Sequence, residues 1–384
     1  MQLELIATAA FGLEAVVARQ VKALGYTEVQ VENGKVTFWG DESAICRANL
    51  WLRSADRVLL KLGEFPATDF DQLFEATKAL PWATWLPADA AFPVTGKSQQ
   101  SQLSSVPACQ SIVKKAIVES LKGFYRLEHF PETGPTYTIE VALYKDIATL
   151  TIDTSGVGLH KRGYRKLVGA APLKETLAAA LVELSYWEPG RVLLDPFCGT
   201  GTIPIEAALI GLNLAPGLQR SFAAEDWPTI NNKLWERARE EARDLVRRDR
   251  QLAILGTDLD NKVLELANYH GRRAGVEKQL RFLQLPVAKV RINHDYGCII
   301  CNPPYGERLE EKDQVEQIYR EMGRAFAPLT TWSIYVLTAF ADFENFFGRQ
   351  ADRKRKLYNG RIKCDYYQFY GPRPPLEAED EFTT

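Results

Sequence analysis

The second half of the chain alternates between short apolar runs and longer amphipathic segments, and this order restricts the possible folds more than any other feature. Apolar runs such as RVLLDPF, LAILGTD and YGCIICN are separated by segments with helical periodicity, for example KVLELANYHGRRAG. Strands that alternate with helices form parallel sheets with helices on both faces. From about residue 166 onward the sequence therefore predicts an α/β fold with a doubly wound, mostly parallel sheet.

Polar residues stand at the points where these predicted strands end. Asp195 closes the first run, Asp258 closes the second, and Asn302 follows the fourth. In doubly wound sheets, ligands bind at the carboxyl ends of the strands, near the point where the strand order reverses. Taken alone, Asp258 would equally suit the N-cap of the next helix. Together the three residues predict a ligand site at this edge of the sheet.

The turn after the first strand, DPFCGTG, contains two glycines that let the backbone bend tightly and approach a ligand. It is not a dinucleotide fingerprint, because Pro204 stands where the third glycine of that motif belongs. It is not a phosphate loop either, since no Gly-Lys-Ser/Thr follows. Asp195 would repel a pyrophosphate but attract an ammonium or a sulfonium. The turn therefore predicts a cationic ligand.

The octapeptide CNPPYGER, residues 301–308, places two prolines directly after an asparagine. Proline lacks an N–H and pushes the residue before it out of the helical region, so the segment can neither extend the strand nor begin a helix. An isolated tetrapeptide of this kind would simply be a turn that ends a strand. Beside the Gly-rich turn, it predicts a rigid frame that presents Asn302 and Tyr305 to a substrate.

The net charge of −2 over 384 residues argues against nonspecific coating of nucleic acid, yet cations cluster in segments 159–167, 243–250 and 352–363. In the middle cluster arginines alternate with acids, which is typical of a solvated helix face. The first and last interleave cations with His or Tyr and are candidates for nucleic-acid contact. Six unevenly spaced cysteines predict no disulfide framework, so we expect a reducing cytoplasm.

The motifs DPFCGTG, TDLD and NPPYGER resemble the cofactor loop, the ribose-binding acid and the catalytic tetrapeptide of S-adenosylmethionine-dependent amino-methyltransferases. The Gly-Glu-Arg tail is similar to that of THUMP-domain RNA guanine-N2 methyltransferases, in particular those of bacterial large-subunit (23S) rRNA. Residues 1–65 resemble the ferredoxin-like domain of this family, and residues 66–155 its THUMP domain. The resemblance implies a basic linker at 156–165 and a Rossmann-like class I methyltransferase domain at 166–384, without a fused second methyltransferase domain.

The resemblance also implies roles for individual residues. The catalytic residues would be Asn302, Pro303 and Tyr305, with the ring of Tyr305, and not its hydroxyl, stacking on the base. S-adenosylmethionine would contact Leu173, Asp195, Cys198, Gly199, Thr200, Gly201, Asp258, Leu259, Asp260 and Asn302. RNA would contact Lys97, Lys114, Lys115, His160, Lys161, Arg162, Arg165 and Arg308.

Two departures from simpler patterns affect this assignment. Many related enzymes read the adenine with an acidic residue after the third strand, but Pro286 stands near that place, so backbone groups or Gln284 are expected to act instead.

Cys298 and Cys301 form a C-x-x-C, yet residues three apart on a strand face opposite sides. No second Cys or His pair completes a zinc site, so we interpret both as core residues and expect no metal.

Several functions remain open from the sequence alone. Guanine-N2 methylation of rRNA competes with the same reaction on tRNA, with adenine-N6 methylation of DNA or RNA, and with an RNA-binding assembly factor that keeps a vestigial cofactor pocket. The Gly-Glu-Arg tail and the THUMP-like head favour the first. The presence of Asp195, Asp258 and Asn302 argues against the last. The oligomeric state stays open.

Overall fold

The computed structural model describes residues 2–165, 173–306 and 312–375. Contacts divide the chain into two compact units, and each is described by itself. The N-terminal unit comprises Met1–Arg162 and Ala215–Leu245, and the C-terminal unit comprises Gly163–Leu214 and Val246–Thr384. The predicted boundaries placed residues 215–245 in the methyltransferase domain, whereas their contacts group them with the N-terminal unit.

One sheet runs through the N-terminal unit. Its strands are β1 (Leu3–Ala9), β2 (Val29–Glu32), β3 (Lys35–Gly40), β4 (Ala55–Pro66), β5 (Val94–Gln99), β6 (Ile139–Tyr144) and β7 (Ile147–Asp153). Their order is β2-β3-β1-β4-β7-β6-β5, with β5 parallel to β6 and the other neighbours antiparallel. Because β4 pairs with both β1 and β7, the predicted ferredoxin-like and THUMP segments share a continuous sheet.

Helices cover this sheet with their apolar faces. They are α1 (Glu14–Ala23), α2 (Glu42–Trp51), α3 (Phe70–Lys78) and α4 (Val106–Tyr125). The side chains of Asp41 and Asp69 accept backbone N–H groups at the starts of α2 and α3, which satisfies donors that a helix leaves unpaired. The buried residues of α4 recur at helical spacing and join the core: Cys109, Val113, Ala116, Ile117 and Leu121.

The C-terminal unit is built on a second, mixed sheet. The strands are β8 (Leu193–Asp195), β9 (Ile254–Asp258), β10 (Leu280–Gln284), β11 (Cys298–Cys301), β12 (Ser333–Thr338), β13 (Arg353–Asn359) and β14 (Ile362–Phe369). Their order is β10-β9-β8-β11-β12-β14-β13; the first five are parallel, and β14 and β13 are antiparallel additions. The predicted doubly wound, mostly parallel sheet is confirmed.

The described residues contain six further α-helices, of which all but the third belong to the C-terminal unit. They are α5 (Glu175–Glu183), α6 (Thr202–Gly211), α7 (Asn232–Asp244), α8 (Asn261–Ala274), α9 (Lys312–Phe326) and α10 (Phe343–Phe347). The burial of β11, CIIC, is complete, as expected for a central strand covered on both faces. Because β8, β9, β10 and β11 are parallel, the residues that follow these strands lie at a common edge of the sheet.

The segment 215–245, which contains α7, packs into the core of the N-terminal unit. The ring of Trp227 stacks on Tyr137 with 4.5 Å between centroids, and Trp235 is buried. A salt bridge of 2.9 Å joins Glu241 of α7 to Arg47 of α2. The sequence predicted a polar, helix-prone insertion here, and its aromatic residues explain why it is buried rather than solvated.

Candidate active site

The candidate site lies at the switch point of the C-terminal sheet. In the sheet, β9 and β10 lie on one side of β8, and β11 and β12, which follow later in the chain, lie on its other side. A cleft of about 380 Å³ opens at the ends of these strands, which is where doubly wound sheets bind ligands. Its described walls are Pro196, Phe197, Asp258, Leu259, Leu285, Pro286, Val287, Asn302, Pro303, Pro304, Ile318 and Glu321.

Asp258 holds the turn between β8 and α6 beside the cleft. The N–H of Gly199 donates to Asp258 Oδ2 at 3.0 Å. Gly199 and Gly201 have φ angles of +51° and +82°, a region that favours glycine. A Cβ at Gly199 would meet no described protein atom within 4 Å, whereas one at Gly201 would lie 3.0 Å from the ring of Phe282. The turn thus leaves open space at Gly199, and a cofactor with a ribose fits beside the carboxylate.

The carboxylate of Asp258 retains capacity for a ligand. Its Oδ1 accepts the N–H of Asp260 at 3.1 Å and its Oδ2 accepts Gly199, so each oxygen keeps a further lone pair for a hydroxyl. Gln284, which with backbone groups is predicted to read an adenine, donates from Nε2 to the carbonyl of Leu259 at 2.8 Å. The wall after β10 is formed by Leu285, Pro286 and Val287.

Asp195, at the end of β8, is buried and does not line the cleft. Its side chain is 1% exposed, and Oδ1 accepts the N–H of Phe197 at 3.1 Å. Burial raises the pKa of Asp195 well above its ordinary value, and the nearby charge of Asp258 acts in the same direction. A cation bound close by would favour the ionised form and oppose this shift.

Leu173, Cys198 and Thr200 do not line the cleft, whereas two other predicted cofactor residues, Leu259 and Asn302, do. Leu173 is buried, and its carbonyl accepts the guanidinium of Arg165 at 3.3 Å. Cys198 is buried, and the carbonyl of Thr200 lies 3.2 Å from Nδ1 of His270. These contacts fix the backbone of the turn from the interior side.

Asn302 directly follows β11 and lines the cleft with the two prolines after it. Its Oδ1 accepts a hydrogen bond from the hydroxyl of Tyr305, which in turn accepts one from Nδ2 of Asn359 at 3.4 Å. Burial raises the pKa of Tyr305 above the ordinary phenol value, so the hydroxyl stays a neutral donor. The sequence predicted a role for the ring of Tyr305 and none for this hydroxyl.

Tyr319 of α9 is a second support that the sequence analysis missed. It is fully buried; its hydroxyl donates to the carbonyl of Pro304 at 2.7 Å and lies 2.8 Å from Oγ1 of Thr338. Tyr319 belongs to the apolar face of α9, so the sequence pattern predicts only an ordinary core residue. Helical periodicity alone could not identify its contact with Pro304. The two prolines are therefore held by packing and by a hydrogen bond.

The thiols near the site are buried. Burial raises the pKa of Cys301 well above its usual value and that of Cys298 to about 12, so neither is a thiolate nucleophile. Both are 0% exposed, as expected for core residues. Within the three described ranges, no group of three or more His, Cys, Asp or Glu could hold a metal ion.

The cations predicted to contact RNA in the N-terminal unit fall into two groups. Lys97, Lys115 and Lys161 are exposed, and His160 is half-exposed. Lys97 nevertheless pairs with Glu140 at 2.8 Å. Lys114 is half-buried between the carboxylate of Glu132, at 2.6 Å, and the ring of Phe92, whose centroid lies 3.5 Å from Nζ. Lys97, Lys115 and Lys161 are thus the exposed lysines of this set, and Nζ of Lys115 lies 5.6 Å from the ring centroid of Phe74.

Two predicted RNA contacts lie in the interior instead. Arg162 is 2% exposed, and its guanidinium donates to the carbonyls of Leu159 and Arg53. The side chain of Arg165 is 8% exposed and lies 3.5 Å from Glu175. Their hydrogen bonds to the protein replace the predicted contacts with RNA. Arg308 lies outside the described residues.

The fold and the motif positions define a class I methyltransferase: a doubly wound sheet with an acid at the end of β9 and Asn-Pro-Pro-Tyr after β11. Family models match the chain along its length. They are an RlmL ferredoxin-like domain at residues 4–59, a THUMP domain at 67–153 and an RMKL-like methyltransferase domain at 162–368. The chain belongs to this family of RMKL-like methyltransferases, and its cofactor is S-adenosylmethionine.

Full-length relatives support the assignment. YpsC of Bacillus subtilis (strain 168), a predicted RNA methyltransferase, is 52% identical over 379 residues, which cover 98% of each chain. A predicted N6-adenine-specific DNA methylase from Listeria monocytogenes str. 4b F2365 is 54% identical, with a TM-score of 0.93 and 97% of each chain covered. SMU.472, solved in complex with SAH, is 47% identical, with a TM-score of 0.93, 97% of this chain and 99% of that one covered.

Among the described residues, no helix is long and apolar enough to cross a membrane.

Proposed function

We propose that the protein transfers the methyl group of S-adenosylmethionine to the exocyclic N2 amine of a guanine in ribosomal RNA, with 23S rRNA as the substrate. The observation that carries the proposal is the Asn302-Pro303-Pro304 wall, which shares one cleft with Asp258. The THUMP and RlmL ferredoxin-like matches support RNA as the substrate class.

Asn302 and Pro303 are proposed to act on the target amine. A guanine amine is a weak nucleophile because its lone pair is delocalised into the ring. Asn302 Oδ1 and the Pro303 carbonyl would each accept one amine hydrogen and so direct the lone pair toward the methyl group. The bound cofactor supplies an electrophilic methyl. The N–C bond forms as the C–S bond breaks, the electron pair stays on sulfur, and one amine proton leaves to water.

The rigidity of the frame contributes to this chemistry. Acceptors that are already in place when charge develops stabilise a transition state without the cost of reorganisation. Tyr319 holds the Pro304 carbonyl, and Tyr305 holds the Asn302 amide. The ring of Tyr305 is proposed to stack on the base, a contact that contributes about 1–3 kcal/mol for aromatic rings. If the guanine is paired in folded RNA, it must first be flipped out.

The cofactor is proposed to bind between the Gly199 turn and the wall after β10. Asp258 would accept the ribose hydroxyls, and the backbone near Leu259 and Pro286 would border the adenine. Asp195 would favour the cationic cofactor through its charge. The predicted residues from Cys198 to Gly201, with Leu173 and Asp260, would shape this pocket from behind.

The N-terminal unit is proposed to deliver RNA rather than to catalyse. Its exposed Lys115 and Lys161 are suited to phosphate contacts. Arg162 and Arg165 are left out of this surface because they are buried.

Adenine-N6 methylation is the second candidate, because a Listeria relative carries that description for DNA. The test is nucleoside mass spectrometry of rRNA, tRNA and DNA from cells that lack the gene, followed by treatment of each with the purified protein. Restored N2-methylguanosine in 23S rRNA supports the proposal. N6-methyladenine, or N2-methylguanosine in tRNA alone, would replace it, and no product in any of the three would favour the assembly factor.

A further inference from the structure

We propose that the hairpin formed by β13 and β14 binds the RNA backbone beside the target base; this inference rests on the proposed function. The hairpin lies at the end of the C-terminal sheet, where β13 is the edge strand. Its cations and its contact with the catalytic motif together point to a phosphate-binding element of the active site.

The charge of the hairpin is strongly one-sided. Residues 353–369, which form the hairpin, contain six Lys or Arg and one acid, Asp365, although the whole chain has a formal charge of −2. Such a local concentration of positive charge attracts a polyanion, and phosphate contacts supply much of the affinity of proteins for nucleic acid. RNA is therefore the partner whose charge complements this surface.

The hairpin reaches the catalytic motif directly. Asn359, the last residue of β13, donates from Nδ2 to the hydroxyl of Tyr305, which donates to Asn302 Oδ1. The strands pair up to Asn359 and Ile362, so Gly360 and Arg361 form the connecting loop. With about 3.3 Å per residue along a strand, Arg361 begins within roughly 7 Å of Asn359. An RNA whose base contacts Asn302 would bring its flanking phosphates to this loop.

The cations of the hairpin differ in their availability. Lys354 pairs with Glu344, and Nζ of Lys356 lies 5.5 Å from the ring centroid of Tyr358. Arg361 and Lys363 are exposed, and neither side chain makes a hydrogen bond or ion pair with a described residue. Arg361 and Lys363, which lie at the tip next to the motif, are thus available for an anion.

A charged edge strand can also serve only to prevent pairing with another sheet. In that case the tip cations would matter for solubility and not for RNA. The two explanations differ in their effect on the salt dependence of RNA binding, since each phosphate contact that is lost lowers the slope by about 1.

The experiment compares the full-length double variant Arg361→Ala/Lys363→Ala with Arg273→Ala/Lys278→Ala. The control removes the same charge from exposed cations on and just after α8, next to the opposite edge of the sheet. Filter binding of 23S rRNA is measured over a range of salt concentrations, together with methyl transfer and SAH binding by calorimetry.

For the hairpin variant we expect a several-fold higher Kd and KM for rRNA, a salt slope lower by about 2, and unchanged SAH affinity. The control should behave like the wild type. Equal Kd and slope for hairpin variant and wild type overturn the proposal, as does a wild-type protein that does not bind rRNA. If the hairpin variant loses RNA affinity but the methylated atom is not guanine N2, only the proposed function fails.

Discussion

The hydroxyl of Tyr305 donates a hydrogen bond to Oδ1 of Asn302. This contact fixes which end of the amide faces Tyr305, because Nδ2 cannot accept that proton. Oδ1 has a second lone pair, so it can still accept a hydrogen from a substrate amine. Tyr305 therefore orients Asn302 as well as offering a ring to the base.

The first prediction separates the hydroxyl of Tyr305 from its ring. Stacking alone would make Tyr305→Phe silent, whereas loss of a hydrogen bond that contributes about 0.5–1.5 kcal/mol should lower kcat by roughly two- to tenfold. Single-turnover methyl transfer measures this step. Tyr305→Ala should in addition raise KM for RNA. A wild-type rate for Tyr305→Phe would show that the hydroxyl does not position the amide.

The second prediction concerns Asn302 itself. Asn302→Ala should lower kcat by about 10²–10³, because a fixed acceptor of the transition state is lost, while cofactor affinity stays within a few-fold. Tritiated methyl transfer onto rRNA from gene-deleted cells gives the rate, and calorimetry gives the affinity. Cys301→Ser, which changes the neighbouring buried thiol, should remain active. Wild-type turnover of Asn302→Ala would refute the assigned role.

A third prediction tests the pocket through Asp258. Asp258→Ala should weaken S-adenosylmethionine and SAH alike by about tenfold, or about 1.4 kcal/mol, since the ribose is common to both. Glu277→Ala is the control, because this exposed carboxylate does not line the cleft. Unchanged affinity in Asp258→Ala would place the ribose elsewhere.

The fourth prediction follows from the raised pKa of Asp195. An acid whose folded pKa lies above its ordinary 3.8 stabilises the fold at low pH, and this stability is lost as pH rises through the raised pKa. Binding of a cationic ligand favours the ionised acid, so it should release protons, and affinity should fall as pH is lowered toward that pKa.

Calorimetry in buffers of different ionisation enthalpy counts the protons released. The release should be larger for S-adenosylmethionine, which has a sulfonium, than for SAH, which lacks it. Asp195→Asn should abolish this difference. An equal release by both ligands in the wild type would mean that Asp195 does not sense the sulfonium.

The fifth prediction concerns isolation of the catalytic part. A fragment of residues 160–384 would carry α7 without the core that buries Trp235, and it should aggregate. The N–H of Arg247 donates to the carbonyl of Leu212 at 2.8 Å, so a short Gly/Ser linker can replace 215–245. Only the shortened fragment should be monodisperse in light scattering and bind cofactor. A well-behaved 160–384 fragment would contradict the assignment of this segment.

The parts of the molecule that sequence predicts are those with local signals. The positions of Asp258 and Asn302 at strand ends can be predicted, because apolar runs indicate the strands and prolines indicate where a strand stops. Contacts between distant residues have no such mark: Asn359 reaches Tyr305 only because β13 and β14 return to the motif. The burial of Arg162 was missed for the same reason. A basic segment predicts exposed side chains, and only the structure shows that carbonyl groups bind the guanidinium of Arg162.

The membership of residues 215–245 in the N-terminal unit has a consequence for synthesis on the ribosome. Domains usually fold in the order in which they emerge. Here the first unit cannot bury Trp227 against Tyr137 until the segment 215–245 emerges, and β8 and α6 of the second unit, which precede this segment in the chain, have emerged by then. A nascent chain that stalls near residue 165 would therefore display an incomplete apolar surface, one that a chaperone could bind.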